Sequence, residues 1–146
     1  YKAVDQLAKN VRARNVSMGD FSAVRSAVNA EVDNFLTYDG RYIRADMNTA
    51  CYLGRGVCYH FSGLAAGVYN ELGIPSGVLG LMGPEEGHAI VNSSLGYSTA
   101  FTDPLYPDAL YSSPTGDYTG LFGFAQYADF SEVVPILRPP LVISLD

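Results

Sequence analysis

Cys58, His88 and Asp103 are the residues of this chain whose types and order suit joint chemistry. A thiol can act as a nucleophile, an imidazole as its base, and a carboxylate can hold that imidazole in the required tautomer. Cys58 closes the run Gly56-Val57-Cys58, directly ahead of the clearest helical period in the chain. Phe61, Leu64, Ala65, Val68, Tyr69 and Leu72 fall on one apolar stripe at helical spacing. Gly73 and Pro75 supply the stop. Gly54 and Gly56 interrupt the pattern upstream, so the helix is predicted to begin at or near Cys58. Unpaired N–H groups and the positive end of the helix dipole favour a thiolate there, below the free-thiol pKa of about 8.5.

His88 and Asp103 belong to a predicted hairpin. Residues 87–92 and 97–103 have strand character, the second ended by Pro104, with a turn over residues 94–97. A turn centred between Leu95 and Gly96 sets His88 opposite Asp103, Ile90 opposite Phe101 and Asn92 opposite Thr99. Opposed residues project to the same face, so this register brings an imidazole beside a carboxylate. A slip of one residue would send them to opposite faces. The other histidine, His60, follows Cys58 by two residues, and a helix turns it about 200° away. That leaves His88 as the base, with His60→Ala expected to keep most activity.

Gly-Val-Cys at a helix start, Leu-Gly-Ile-Pro at its end, then His-Ala and Asp-Pro on successive strands resembles the transglutaminase-like superfamily, part of the wider papain-like group. The resemblance reaches back to residues 24–39, similar to the family's helix that ends in a Tyr-Asp pair, here Tyr38-Asp39. It covers roughly residues 20–106. It implies Cys58 as nucleophile, His88 as base and Asp103 as orienting acid, with amide bonds of peptides or side chains as substrate. The Cys58 N–H is one donor to the oxyanion. For the second, papain-like enzymes use a glutamine six residues before the cysteine, where Tyr52 stands here, and transglutaminases an aromatic donor such as Tyr52 or Tyr42 could supply. The chain has no tryptophan, a departure from the animal transglutaminase pattern that weighs against cross-linking. It has no D-x-D-x-D-G loop either, so the sequence gives calcium no support.

The elements that must position these residues follow in order. Residues 3–14 place Val4, Leu7, Ala8 and Val11 on one helical face, and Asp20 or Ser22 can cap a second helix carrying Val24, Val28 and Val32. Asp39-Gly40 is expected to end that helix, and residues 41–50 to approach the cysteine irregularly. Residues 76–82 are a predicted strand. Residues 105–120, rich in Pro, Ser, Gly and Asp, are expected to form a long loop in which Tyr106 and Tyr111 are candidates to line a substrate cleft. Residues 131–138 and 141–145 are further strand candidates. The expected fold is α+β: two or three N-terminal helices packed on an antiparallel sheet, with a papain-like or transglutaminase-like core.

At 146 residues the chain is expected to be one domain spanning residues 1–146. It is 48% hydrophobic and 16% charged, within the globular range. A net charge of −6 without a basic run speaks against nucleic acid or an anionic membrane as principal partner. No apolar run is long enough to span a bilayer. The chain opens on Tyr1 with no leader pattern, as a piece of something longer would. The residues do not fix the compartment; a secreted or cell-surface setting is the expectation. Of the two cysteines, Cys51 is expected to be a small buried hydrophobe, since a Cys51–Cys58 bridge would silence the thiol. No cofactor or metal is implied, for want of paired ligand spacings. Three functions stay open: a peptidase or amidase acting on a peptide or protein substrate, a glutamine transglutaminase or deamidase such as an exported effector, and a non-catalytic binding module.

Overall fold

The computed structural model describes residues 2–82, 87–96, 98–106, 110–113 and 126–128. Helix α1 (Lys2–Ala13) buries Val4, Leu7, Ala8 and Val11, the face expected from their spacing. Helix α2 (Phe21–Phe35) starts at Asp20, whose side chain accepts the Ala23 N–H at 3.2 Å. It ends earlier than expected. The Leu36 N–H closes the helix on the Val32 carbonyl, and Thr37–Tyr38 forms strand β1. This short strand pairs in parallel with β2 (Arg55–Gly56).

Residues 41–50 are not irregular. Asp39 caps a 3-10 turn at Gly40–Tyr42 by accepting the Arg41 N–H at 3.0 Å. Asp46 then caps helix α3 (Met47–Leu53), accepting the Thr49 N–H at 2.7 Å, and Gly54 ends it at φ 69°. Two aspartates, two and three residues ahead of their partners, mark these starts, a local capping signal that hydrophobic periodicity does not report.

Helix α4 (Cys58–Glu71) ends as its glycine foretells. Gly73 takes φ 88°, its N–H donates to the Asn70 carbonyl, and the Ile74 N–H reaches back to Tyr69. The Asn70 side chain brackets Ser76, donating to its carbonyl at 2.8 Å and accepting its N–H at 3.2 Å. That fixes the turn into strand β3 (Ser76–Met82). The helix is buried almost all round, from His60 through Tyr69, and not only along the expected stripe. It lies between α1 and α2 on one side and the sheet on the other. Ser62, Gly63, Ala65, Ala66 and Gly67 are small enough to allow this close approach on both sides.

Strands β4 (Gly87–Ser94), β5 (Thr99–Thr102), β6 (Leu110–Ser113) and β7 (Gln126–Ala128) complete a sheet of order β6-β5-β4-β3-β7, antiparallel at every pairing. The molecule is α+β, with four α-helices among the described residues where two or three were expected. Strand β6 lies inside the segment expected to be a loop, and β7 was not anticipated. The strand candidates at 131–138 and 141–145 lie outside the described residues.

The hairpin pairs as β4 with β5 but two residues further along than expected, which keeps the faces: Asn92 faces Phe101, not Thr99, and Val91 faces Thr102. Gly96 is the reason. It takes the first central position of the turn, at φ 90°, with the Leu95 N–H donating to the Ser98 carbonyl at 2.9 Å. The expected register had placed it second.

Candidate active site

Four glycine-rich residues decide how the thiol is presented. Gly54 closes α3 in a left-handed conformation that a side chain would strain. A Cβ on Gly56 would stand 2.7 Å from the His60 Cβ, so only glycine lets that ring pack here. The backbone is sewn to the strand after α2, with the Thr37 N–H on the Gly54 carbonyl at 2.8 Å and the Asp39 N–H on the Gly56 carbonyl at 2.9 Å. Val57 is the extended N-cap residue and Cys58 opens the helix. The Cys58 N–H is thus one of the first-turn donors that have no partner inside a helix.

Ser62, one turn beyond Cys58 on the same helical face, donates to the Ala89 carbonyl at 3.0 Å. This bond docks β4 on α4 next to His88. The His88 Nε2 meets the Asp103 Oδ2 at 2.5 Å. Carried past the end of β5, the observed register sets Asp103 diagonal to His88 instead of opposite it, still on the same face and within side-chain reach. The imidazole is also hydrogen-bonded to the Cys58 thiol. Burial alone would lower the His88 pKa. The bonds to Asp103 and Cys58, with the charges of both, outweigh burial and raise it to about 9.

Asp103 is 1% exposed. Its Oδ1 accepts the Leu105 N–H at 2.9 Å and its carbonyl accepts the Tyr106 N–H at 3.1 Å, so the Asp-Pro turn itself fixes the carboxylate. The same turn brings the Tyr106 ring edge-on to His88, with centroids 6.1 Å apart, while leaving it 63% exposed. Tyr106 therefore borders the imidazole, as its candidacy requires. The side chain of Tyr111 lies outside the described residues.

Tyr52 fares differently. It is 89% exposed, whereas an oxyanion donor works in a site that excludes water, so the expectation that Tyr52 serves there finds no support. His60 also departs from expectation. It is turned from the thiol as the helix requires, yet it is fully buried and bonded at both nitrogens to Val57 and Ala45. Its loss therefore disturbs the start of α4, and the expected tolerance of His60→Ala is withdrawn. Cys51 and Cys58 are both free thiols. Burial pushes the Cys51 thiol up to about 11.

Two nearby residues escaped sequence reasoning. Ser62 had a signal, its four-residue spacing from Cys58. Asp33 had none. Burial and the negative charge of Asp103 push its carboxyl up to about 6, which puts the end of α2 beside the site. Among the described residues no cluster of His, Cys, Asp and Glu is arranged to hold a metal ion, and no helix is long and apolar enough to cross a membrane.

No protein-family profile matches this chain. No curated protein sequence matches it either. A solved structure described as the crystal structure of a TGase, a transglutaminase, superposes with a TM-score of 0.61 at 20% sequence identity, covering 74% of this chain and 32% of that one. This chain thus spans about a third of that protein's length. At that level of identity the likeness concerns the path of the chain, and the fold is transglutaminase-like.

Proposed function

We propose that this chain is a single transglutaminase-like domain acting as a cysteine-dependent acyl-transfer enzyme on peptide or side-chain amides, and that it resolves its thioester mainly with water. The observation that carries the reading is the buried Asp103–His88 pair with the Cys58 thiol on the same imidazole. In this mechanism His88 takes the proton of the Cys58 thiol, and Asp103 holds the ring and favours its charged form. The thiolate sulfur attacks the amide carbonyl carbon, and the oxygen that becomes negative meets the Cys58 N–H at the start of α4. The carbon–nitrogen bond then breaks, the leaving amine takes the proton from His88, and a thioester remains on Cys58. Water, deprotonated by His88, attacks the thioester; the thiolate leaves and a carboxylic acid is released. An amine in place of water would give a new amide instead. The likeness to a protein described as a TGase favours that second resolution.

The test begins with a thiol-directed activity probe, followed by mass spectrometry of candidate protein substrates with and without a primary amine. Acid products regardless of amine mark a hydrolase or deamidase, and amine adducts mark a transglutaminase. Cys58→Ser and His88→Ala should each abolish turnover. Asp103→Asn should keep the Leu105 N–H contact through its amide oxygen yet lose up to about 10⁴-fold in kcat. Full turnover by Cys58→Ser would end the reading of Cys58 as nucleophile, and a wild type that neither takes the probe nor turns over any substrate would favour a binding module.

A further inference from the structure

His60 lies outside the thiol chemistry, yet it is 0% exposed and both ring nitrogens are engaged. Its Nδ1 accepts the Val57 N–H at 2.9 Å, and its Nε2 lies 2.7 Å from the Ala45 carbonyl. A nitrogen that accepts an N–H carries no proton, so the ring is the neutral tautomer that donates from Nε2. The Tyr59 ring rests on it with centroids 4.0 Å apart, and the Tyr59 hydroxyl lies 2.5 Å from the Ile43 carbonyl and 2.9 Å from that of Ala45. Gly56 leaves the space that the ring fills.

The peptide unit joining Gly56 and Val57 is therefore held at both ends, its carbonyl by the Asp39 N–H and its N–H by His60. The next unit is also held, since the Val57 carbonyl accepts the N–H groups of His60 and Phe61 at 2.9 and 3.1 Å. Two fixed planes leave the Cys58 N–H one direction in which to point. We propose that His60 is a positioning residue that aims the Cys58 N–H at the developing oxyanion, an inference that rests on the acyl-transfer reading above.

Helix capping alone would affect stability. Aiming a donor affects only those reactions of Cys58 that develop a negative oxygen, so two reagents separate the roles. p-Nitrophenyl acetate acylates a thiol through a tetrahedral oxyanion; the sulfur–carbon bond forms and p-nitrophenolate leaves. Iodoacetamide alkylates the same thiol by displacing iodide, with no oxyanion. Wild type, His60→Leu, His60→Asn and Gly56→Ala are compared, with circular dichroism to establish folding. His60→Leu and Gly56→Ala should lose about 10- to 100-fold in acylation rate, up to the loss of one oxyanion donor, while alkylation stays within about threefold. His60→Asn, whose amide oxygen replaces Nδ1 as acceptor for the Val57 N–H, should recover most of the acylation. If His60→Leu does not fold, the other two variants carry the comparison, since one keeps the imidazole and displaces it and the other keeps the acceptor. Folded variants that acylate at the wild-type rate, or in which both reactions fall in proportion, would overturn the role of His60 alone. A wild type that p-nitrophenyl acetate does not acylate at Cys58 would instead remove the acyl-transfer reading, and this inference with it.

Discussion

Cys51 and Cys58 stand in the same short stretch of chain but meet different surroundings. Burial pushes the Cys51 thiol up to about 11, so little of it is ionised at neutral pH. Cys58 touches an imidazole. Iodoacetamide at pH 7, followed by peptide mass spectrometry, should therefore modify Cys58 first; labelling of Cys51 ahead of it would contradict the proposed nucleophile. The two histidines make a second contrast. An unfolded histidine titrates near about 6.5, and His88 in the fold is raised to about 9. The stability this contributes is complete below about pH 6.5 and fades as the pH rises towards 9. His60 is shifted down, by burial above all, against the opposing pull of the Ala45 carbonyl and Asp46. Its contribution is present above about pH 6.5 and fades below it. Melting temperatures across pH 6.5–9 should fall for the wild type, and His88→Gln should flatten that fall. That Cys58, His88 and Asp103 come together was legible because a helix start and a hairpin were written locally. The bonds of Tyr59 and His60 to the carbonyls of residues 43 and 45 were not, since no sequence pattern says which loop will lie over a helix end.

Helices and turns were legible where they end in residues with a backbone reason to be there. Gly73 at φ 88° is such a residue, with nothing within 4 Å of the Cβ it lacks. Gly73→Ala should cost about 1 kcal/mol through backbone strain alone, measurable by urea unfolding. Helix α3 is barely two turns long, and its one side-chain cap is Asp46. Asp46→Ala should cost about 1 kcal/mol in the same assay. The strands were less legible. The pairing of β4 with β5 depended on whether Gly96 stood first or second in the turn, and both positions accept glycine. Strand β6 sits in a stretch without alternating hydrophobicity, so its strand state comes from pairing with β5, a tertiary effect that overrides local preference.

Over the whole molecule, α4 is the body against which everything else is placed. Leu64 and Val68 are at most 1% exposed, and each contributes about 1.5–3 kcal/mol by leaving water. Helices α1 and α2 cover its far side and are themselves joined by Glu31. This carboxylate accepts from Asn10 at 2.9 Å and from Arg14 at 2.6 and 2.9 Å. Arg14→Met would leave Glu31 short of its strongest donor and should cost about 1–3 kcal/mol. Arg14→Met with Glu31→Gln together should recover part of that loss, in chemical denaturation of the double variant. The α+β order was legible because helical periods precede Gly73 and strand signals follow it. The burial of α4 on both sides was not, because one apolar stripe accounts for only one of the two surfaces it meets.

The two-residue parallel pairing of β1 with β2 bears on what can be cut out and transplanted. Cys58, His88 and Asp103 all lie downstream of Gly54, so a fragment beginning there would carry every side chain of the proposed triad. It would lack the N–H groups of Thr37 and Asp39 that hold the carbonyls of Gly54 and Gly56. Such a fragment, grafted into another protein, would bring these side chains without the frame that aligns them. The smallest portable unit begins before Thr37, at a segment that contributes no atom to the proposed reaction.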